Sequence, residues 1–138
     1  LRLFTHPQPV VAASAGHAIA AGALVLLASD TRIGAAGDFK YGLNETAIGM
    51  SLPPFGLQMA ICRLSKRYQT QAIIQANLYG PEEALTVGYL DQVAAPQELE
   101  KSAIEQATAL AELPAKAYAG TKLDLRAQYI EIIRASLK

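Results

Sequence analysis

The run Pro9–Asp30, PVVAASAGHAIAAGALVLLASD, constrains this chain more than any other stretch, because it is almost free of charge and changes periodicity part-way. Pro9–Ala15 reads as a short buried strand, Gly16 and His17 break it, and Ala18–Ser29 has the length and Ala/Leu content of a buried helix. The strand-to-helix junction is therefore built almost wholly from Ala and Gly. Such a junction leaves the first helical N–H groups without intrahelical partners and offers no large side chain to cover them. Two readings are open. Close packing of a helix on a sheet is the commoner; a set of donors for a ligand oxygen is the other, favoured by the positive end of the helix dipole if that oxygen gains charge.

Val10–Ala28 is apolar enough to suggest a membrane span, yet it contains Ser14, Gly16, His17 and Gly22, so it reads as core. With 138 residues, 51% of them apolar, the chain can bury a core of one domain. Lys and Arg are scattered and the formal charge is zero, so neither nucleic acid nor a membrane surface is expected as a partner. A single cysteine excludes an internal disulfide and any cysteine metal cluster, and fits a reducing, cytoplasmic compartment. Cys62 lies in the apolar run Leu57–Leu64 and reads as an inert thiol. His6 and His17 are isolated, so no metal site is expected. Leu1 opens the chain without Met or a basic leader, which reads as a cut inside a longer protein.

In order, Leu1–Gln8 reads as an exposed lead-in, Thr31–Ala35 as a strand, Ala36–Asp38 as a turn and Phe39–Tyr41 as a short extended piece. An irregular loop runs from Gly42 to Gly49. Leu57–Leu64 reads as a helix, and Ser65 as the cap of a second one over Lys66–Ala76. Pro81 begins a short helix that Gly88 ends, and Tyr89–Ala94 is extended. Pro96 starts an amphipathic helix with Leu99, Ala103, Ala107 and Leu110 on one side, stopped at Leu113-Pro114. Two helical stretches follow, Ala115–Lys122 and Asp124–Lys138. Residues 1–95 thus form an α/β core and 96–138 a helical region with too little sheet to cover it, so its free face is expected to meet further sequence or a neighbouring subunit.

Glu45 sits in the loop with Leu43, Ile48 and Met50 around it. A solvated loop acid is the usual fate of such a residue; a general base beside apolar groups is the functional alternative.

Three motifs, in the same order, resemble the crotonase or enoyl-CoA hydratase/isomerase superfamily. They are Pro9–Ala13 with Gly16–Gly22 and Ser29-Asp30, then Tyr41–Glu45, then Ala84–Val93. The similarity spans nearly the whole chain and corresponds to the C-terminal half of a family member. It implies an α/β fold, a crotonase-like spiral of ββα turns followed by a C-terminal helical region used in trimerisation. It also implies a homotrimer or a hexamer built as a dimer of trimers, and an acyl-CoA substrate. No cofactor is expected, since coenzyme A belongs to the substrate.

The resemblance further implies that the Ala21 backbone N–H is an oxyanion donor, with Ala20, Gly22 and Asn44 on the substrate side. The second donor and most of the coenzyme A surface would come from sequence outside this chain, so the chain alone would turn over little. Family hydratases carry two glutamates; here one position holds Glu45 and the other holds Leu24, on the same helix face as Ala21. The pattern Gly42–Thr46 is closest to that of single-glutamate enoyl-CoA isomerases. Moving a double bond needs one base, whereas adding water needs both a base and an acid. The expected function is therefore isomerisation, with Leu24 and Phe55 as walls of the acyl pocket; a hydratase and a non-catalytic crotonase-like assembly subunit are the alternatives.

Overall fold

The computed structural model describes residues 1–138. Three parallel strands, β1 (Val11–Ser14), β3 (Thr31–Ala35) and β5 (Gln92–Ala94), form a sheet in the order β1-β3-β5. Val11 pairs with Thr31 and Ile33 with Gln92. A separate parallel pair joins β2 (Ala18–Ile19) to β4 (Tyr41–Gly42), and Tyr41 makes an antiparallel bridge to Tyr79. The helices are α1 (Ala21–Ala28), α2 (Pro54–Arg63), α3 (Pro81–Val87), α4 (Leu99–Ala111) and α5 (Ala115–Ser136).

Helix α1 is apolar all round but buries only one side: Ala23, Leu26, Leu27 and Ala28 pack with Tyr41, Leu43, Met59, Ala60 and Tyr89, while Ala21, Gly22 and Val25 stay exposed. A fully buried leucine such as Leu27 contributes about 1.5–3 kcal/mol. Helix α4 covers the other side of the sheet, where Leu99 joins Ile33 and Ala35, with Val11 and Ala103 against them. Arg32 ties β3 to the turn before β5: its guanidinium makes a two-pronged pair with Asp91 at 2.8 and 3.0 Å and donates to the Gly88 carbonyl at 2.7 Å. Gly88 itself ends α3 at φ +113°, a left-handed conformation that strains any residue with a Cβ.

Five expectations need correction. Ala18 and Ile19 are strand and the helix begins at Ala21, because the Ala18 and Ala20 N–H groups bond across to the Lys40 and Gly42 carbonyls, both at 2.9 Å. The Ser65 side chain caps nothing, and Lys66–Ala76 is no α-helix: a 3₁₀ turn over Lys66–Tyr68 precedes a turn of π-helix over Thr70–Ile74. The extended piece before α4 keeps only Gln92–Ala94 as strand, since Tyr89 and Leu90 are drawn into the core. The two C-terminal helical stretches are one helix, α5, continuous through Leu123.

The lead-in, finally, is not loose. Phe4 is fully buried, the Arg126 guanidinium lies over its ring and donates to its carbonyl at 2.7 Å, and Lys122 donates to the His6 and Gln8 carbonyls. Helix α5 thus buries Lys122, Arg126, Ile130 and Ile133 within the chain and leaves Leu123, Leu125 and Ile132 exposed.

Candidate active site

The start of α1 is bare. Its first intrahelical bond runs from the Leu24 N–H to the Ala20 carbonyl at 3.1 Å, so the Ala21, Gly22 and Ala23 N–H groups precede the helical ladder. No side chain caps this end, no acid sits in the first turn, and Ala21 and Gly22 are exposed. Ala20 adopts φ 54° and ψ −116°, a strained backbone for alanine. It holds that shape because its N–H is bonded to the Gly42 carbonyl, which fixes the direction in which the next residues present their donors.

The same bond sets the second element of the site. Gly42 ends β4, and the chain turns at once into the segment carrying Asn44 and Glu45, so one two-stranded ladder positions both the open helix end and the acid. Glu45 is 8% exposed, and its Oε2 is buried without a hydrogen-bond partner. The solvated-acid reading is thereby corrected. Asn44 Oδ1 is likewise buried and unpartnered. Of the apolar neighbours expected around Glu45, Leu43 is buried whereas Ile48 and Met50 are exposed, because the 3₁₀ turn Thr46–Ile48 carries them outward.

Behind this loop stands Tyr89. Burial above all, with the nearby Tyr79 phenol and the Glu45 charge, pushes its hydroxyl well above the ordinary tyrosine range, so it stays neutral. A buried carboxylate oxygen with no donor aimed at it keeps a lone pair free to accept a proton.

Leu24 and Phe55 come together in one open apolar groove of about 380 Å³, with Val25 and Met59 from the same two helices and Leu1 and Leu3 from the lead-in. Glu45 is not among the residues lining it. Gly56 is what lets α2 come so near. A Cβ there would lie 3.2 Å from Leu52 Cδ1 and 3.4 Å from Leu24 Cδ1, so Gly56 brings these two leucines over its own backbone.

Sequence reasoning missed the strain at Ala20, the Leu52–Gly56–Leu24 junction and the ionic cluster at the far end of α1. There Asp30, 6% exposed at its side chain, accepts from the Val10 N–H at 2.9 Å and from Tyr118 at 2.8 Å. It also pairs with Lys122 at 2.6 Å and Arg126 at 2.9 Å. Burial by itself would raise the Asp30 carboxyl, but the hydrogen bonds from Lys122, Val10 and Tyr118 outweigh it and leave it below its ordinary value. The signal was available: Lys122 and Arg126 are four residues apart, hence on one helix face, and that face also carries Ile130 and Ile133. Cys62 is half-buried, and burial pushes its thiol up, which makes it a poor nucleophile. No group of three or more His, Cys, Asp or Glu residues is arranged to hold a metal.

The family model described as enoyl-CoA hydratase/isomerase matches residues 1–136. A probable enoyl-CoA hydratase of Mycobacterium avium is 33% identical over 132 residues, 94% of this chain and 49% of that protein. The mitochondrial enoyl-CoA delta isomerase 1 of Mus musculus is 33% identical over 105 residues, 75% of this chain and 36% of that one. A crystal structure of an enoyl-CoA hydratase/isomerase family protein from Pseudomonas syringae superposes with a TM-score of 0.94 at 38% identity, over 98% of this chain and 59% of that chain. The chain therefore spans about half the length, or less, of the curated relatives it matches.

Proposed function

Because the chain belongs to the enoyl-CoA hydratase/isomerase family and has its crotonase-like fold, we propose that it acts on an acyl-CoA thioester by moving a double bond from the 3- to the 2-position. The observation that carries this reading is the pairing of one buried acid, Glu45 with its unpartnered Oε2, with an apolar residue, Leu24, one turn past the open N–H of Ala21.

Glu45 takes a proton from C2 of the 3-enoyl thioester. The electrons of that C–H bond delocalise into the thioester carbonyl, whose oxygen becomes negative and is held by the Ala21 N–H. As the enolate collapses, the double bond shifts to C2–C3 and Glu45 returns the proton to C4. Atoms and electrons balance with no water consumed and no cofactor. A positioned base contributes typically ~10²–10⁴-fold, and an oxyanion donor ~10²–10³-fold. Leu24 and Phe55 line the path of the acyl chain, with Ala20, Gly22 and Asn44 beside the reacting carbons.

The M. avium relative, named a probable hydratase, supports a second reading in which water adds to a 2-enoyl thioester. That reaction requires a second proton-transfer group, and Leu24 cannot be it. In the assembly we propose, a homotrimer or dimer of trimers, the exposed Ile132 in the second half of α5 belongs to the contact between subunits. The compartment is reducing and cytoplasmic, in keeping with the lone thiol; no helix is long and apolar enough to cross a membrane.

The deciding experiment measures isomerisation of 3-enoyl-CoA and hydration of 2-enoyl-CoA by the full-length enzyme. Isomerisation should dominate, and Glu45→Gln should lower it by ~10²–10⁴-fold with an unchanged circular dichroism spectrum. Hydration as fast as isomerisation in the unmodified enzyme overturns the assignment.

A further inference from the structure

At the C-terminal end of α1 a cavity of about 450 Å³ opens between Arg63, the last residue of α2, and the first half of α5. Three cationic side chains on its wall, Arg63, Lys122 and Arg126, meet one carboxylate, Asp30. That carboxylate is fully engaged: Oδ1 takes Arg126, while Oδ2 takes the Val10 N–H, Tyr118 and Lys122. Lys122 in turn gives its remaining donors to the His6 and Gln8 carbonyls.

Arg63 is left short. Its Nη2 donates to the Ser29 and Asp30 carbonyls at 3.0 and 2.9 Å, but its Nε is buried without a partner. Burial, then the neighbouring Arg32 and Arg126 charges, pull its pKa down to about 10. Arg63 is only half-buried and its Nε is closed off from the cavity, so an anion there meets the guanidinium at Nη1, which makes no hydrogen bond within the protein and lies in surplus positive charge.

The other lining of this cavity is apolar and leads somewhere. Leu113 and Tyr118 also line a second cavity of about 260 Å³, which no charged side chain borders and which is walled by Pro7, Pro9, Ala107, Leu110 and Ala111. A cationic chamber thus adjoins an apolar one, which is the pattern of a site for an amphipathic anion.

We propose that the two chambers together bind a carboxylate carried on an unbranched aliphatic stem. The carboxylate sits by Arg63, with the Thr121 hydroxyl as a further donor on the same wall, and the stem crosses Leu113 and Tyr118 into the apolar chamber. The site lies at the opposite end of α1 from Ala21, about 12 Å away along eight residues of helix, and does not depend on the enoyl-CoA reading.

The test titrates decanoate, below its micelle concentration, into the ¹⁵N-labelled full-length protein and follows amide shifts. Saturable one-to-one binding is expected, with shifts around Arg63 and Leu113–Leu125. Arg63→Gln should weaken it by about tenfold or more, since a hydrogen bond to a charged group is lost. Ala117→Trp fills the mouth from an exposed helix position while keeping every member of the ion pairs, and should abolish binding even if Arg63→Gln fails to fold. Decanol and inorganic sulfate, each matching one chamber only, should bind at least about tenfold more weakly. Absence of saturation, shifts centred on Ala20–Leu24, sulfate binding as tightly as decanoate, or an affinity untouched by Ala117→Trp would each overturn the proposal.

Discussion

The two ends of α1 are opposites. At its start Ala20–Ala23 carry no capping side chain and no charge, the backbone is strained at Ala20, and the donors face outward. At its finish Asp30 is surrounded by a backbone N–H, a phenol, an ammonium and a guanidinium. One end is left chemically unsatisfied and the other is over-engaged, on a helix too short to bend between them. The contrast teaches that rigidity and reactivity are separated along one element: the far end anchors the helix so that the near end can remain open.

The sharpest way to break this comparison is at Asp30. Asp30→Asn leaves Lys122 and Arg126 buried with no counter-charge and should cost about 3–5 kcal/mol, read from urea melts. A cost like that of a surface change would mean that the far end anchors nothing. The same variant sharpens the comparison through pH. Because the folded-state pKa of Asp30 lies below its unfolded value, its contribution is complete above the ordinary carboxylate range and is lost as pH falls through the lower, folded value. The acid limb of the stability curve should therefore flatten in Asp30→Asn; an unchanged slope would assign that limb to other carboxylates.

Leu24→Glu tests the near end. It places a carboxylate in a half-buried apolar groove and should destabilise by about 1–3 kcal/mol in the same melts, while raising hydration relative to isomerisation in the full-length enzyme. The smallest effect belongs to Ala20→Gly. Relief of backbone strain worth about 1–3 kcal/mol, less about 1 kcal/mol for the freer unfolded chain, should leave a net gain of about 1 kcal/mol. A loss instead would show that the Ala20 methyl packs more favourably than its backbone is strained.

The parts of this fold legible in the sequence are those decided locally. Thr31–Ala35 is a short stretch with Thr31 and Ile33 between turn residues, and the helix from Pro81 to Gly88 has a start and a stop that need nothing else. What was illegible depended on distant partners. Ala18 and Ile19 have helical composition but are held as strand by Tyr41 and Gly42, and Phe4 looks like part of a loose lead-in until Arg126 covers it. The site divides in the same way: the open junction at Ala21 and the acid Glu45 stood out as residues, whereas the burial of Glu45 and its place near Tyr89 are reached only by the fold. Asp30 was visible in its motif, yet its cations lie more than ninety positions on.

The contact between Arg126 and the Phe4 carbonyl joins positions 122 residues apart, so it closes a loop almost as long as the chain. Loop-closure entropy grows only slowly with length, which makes the closure modest in equilibrium terms. Kinetically it belongs late: local helices and the β1–β3 pairing can form first, and the lead-in is clasped only after α5 has docked. A late clasp acts on the barrier to unfolding rather than on the barrier to folding. Phe4 and Arg126 therefore govern how long the native state lasts, not how quickly it is reached.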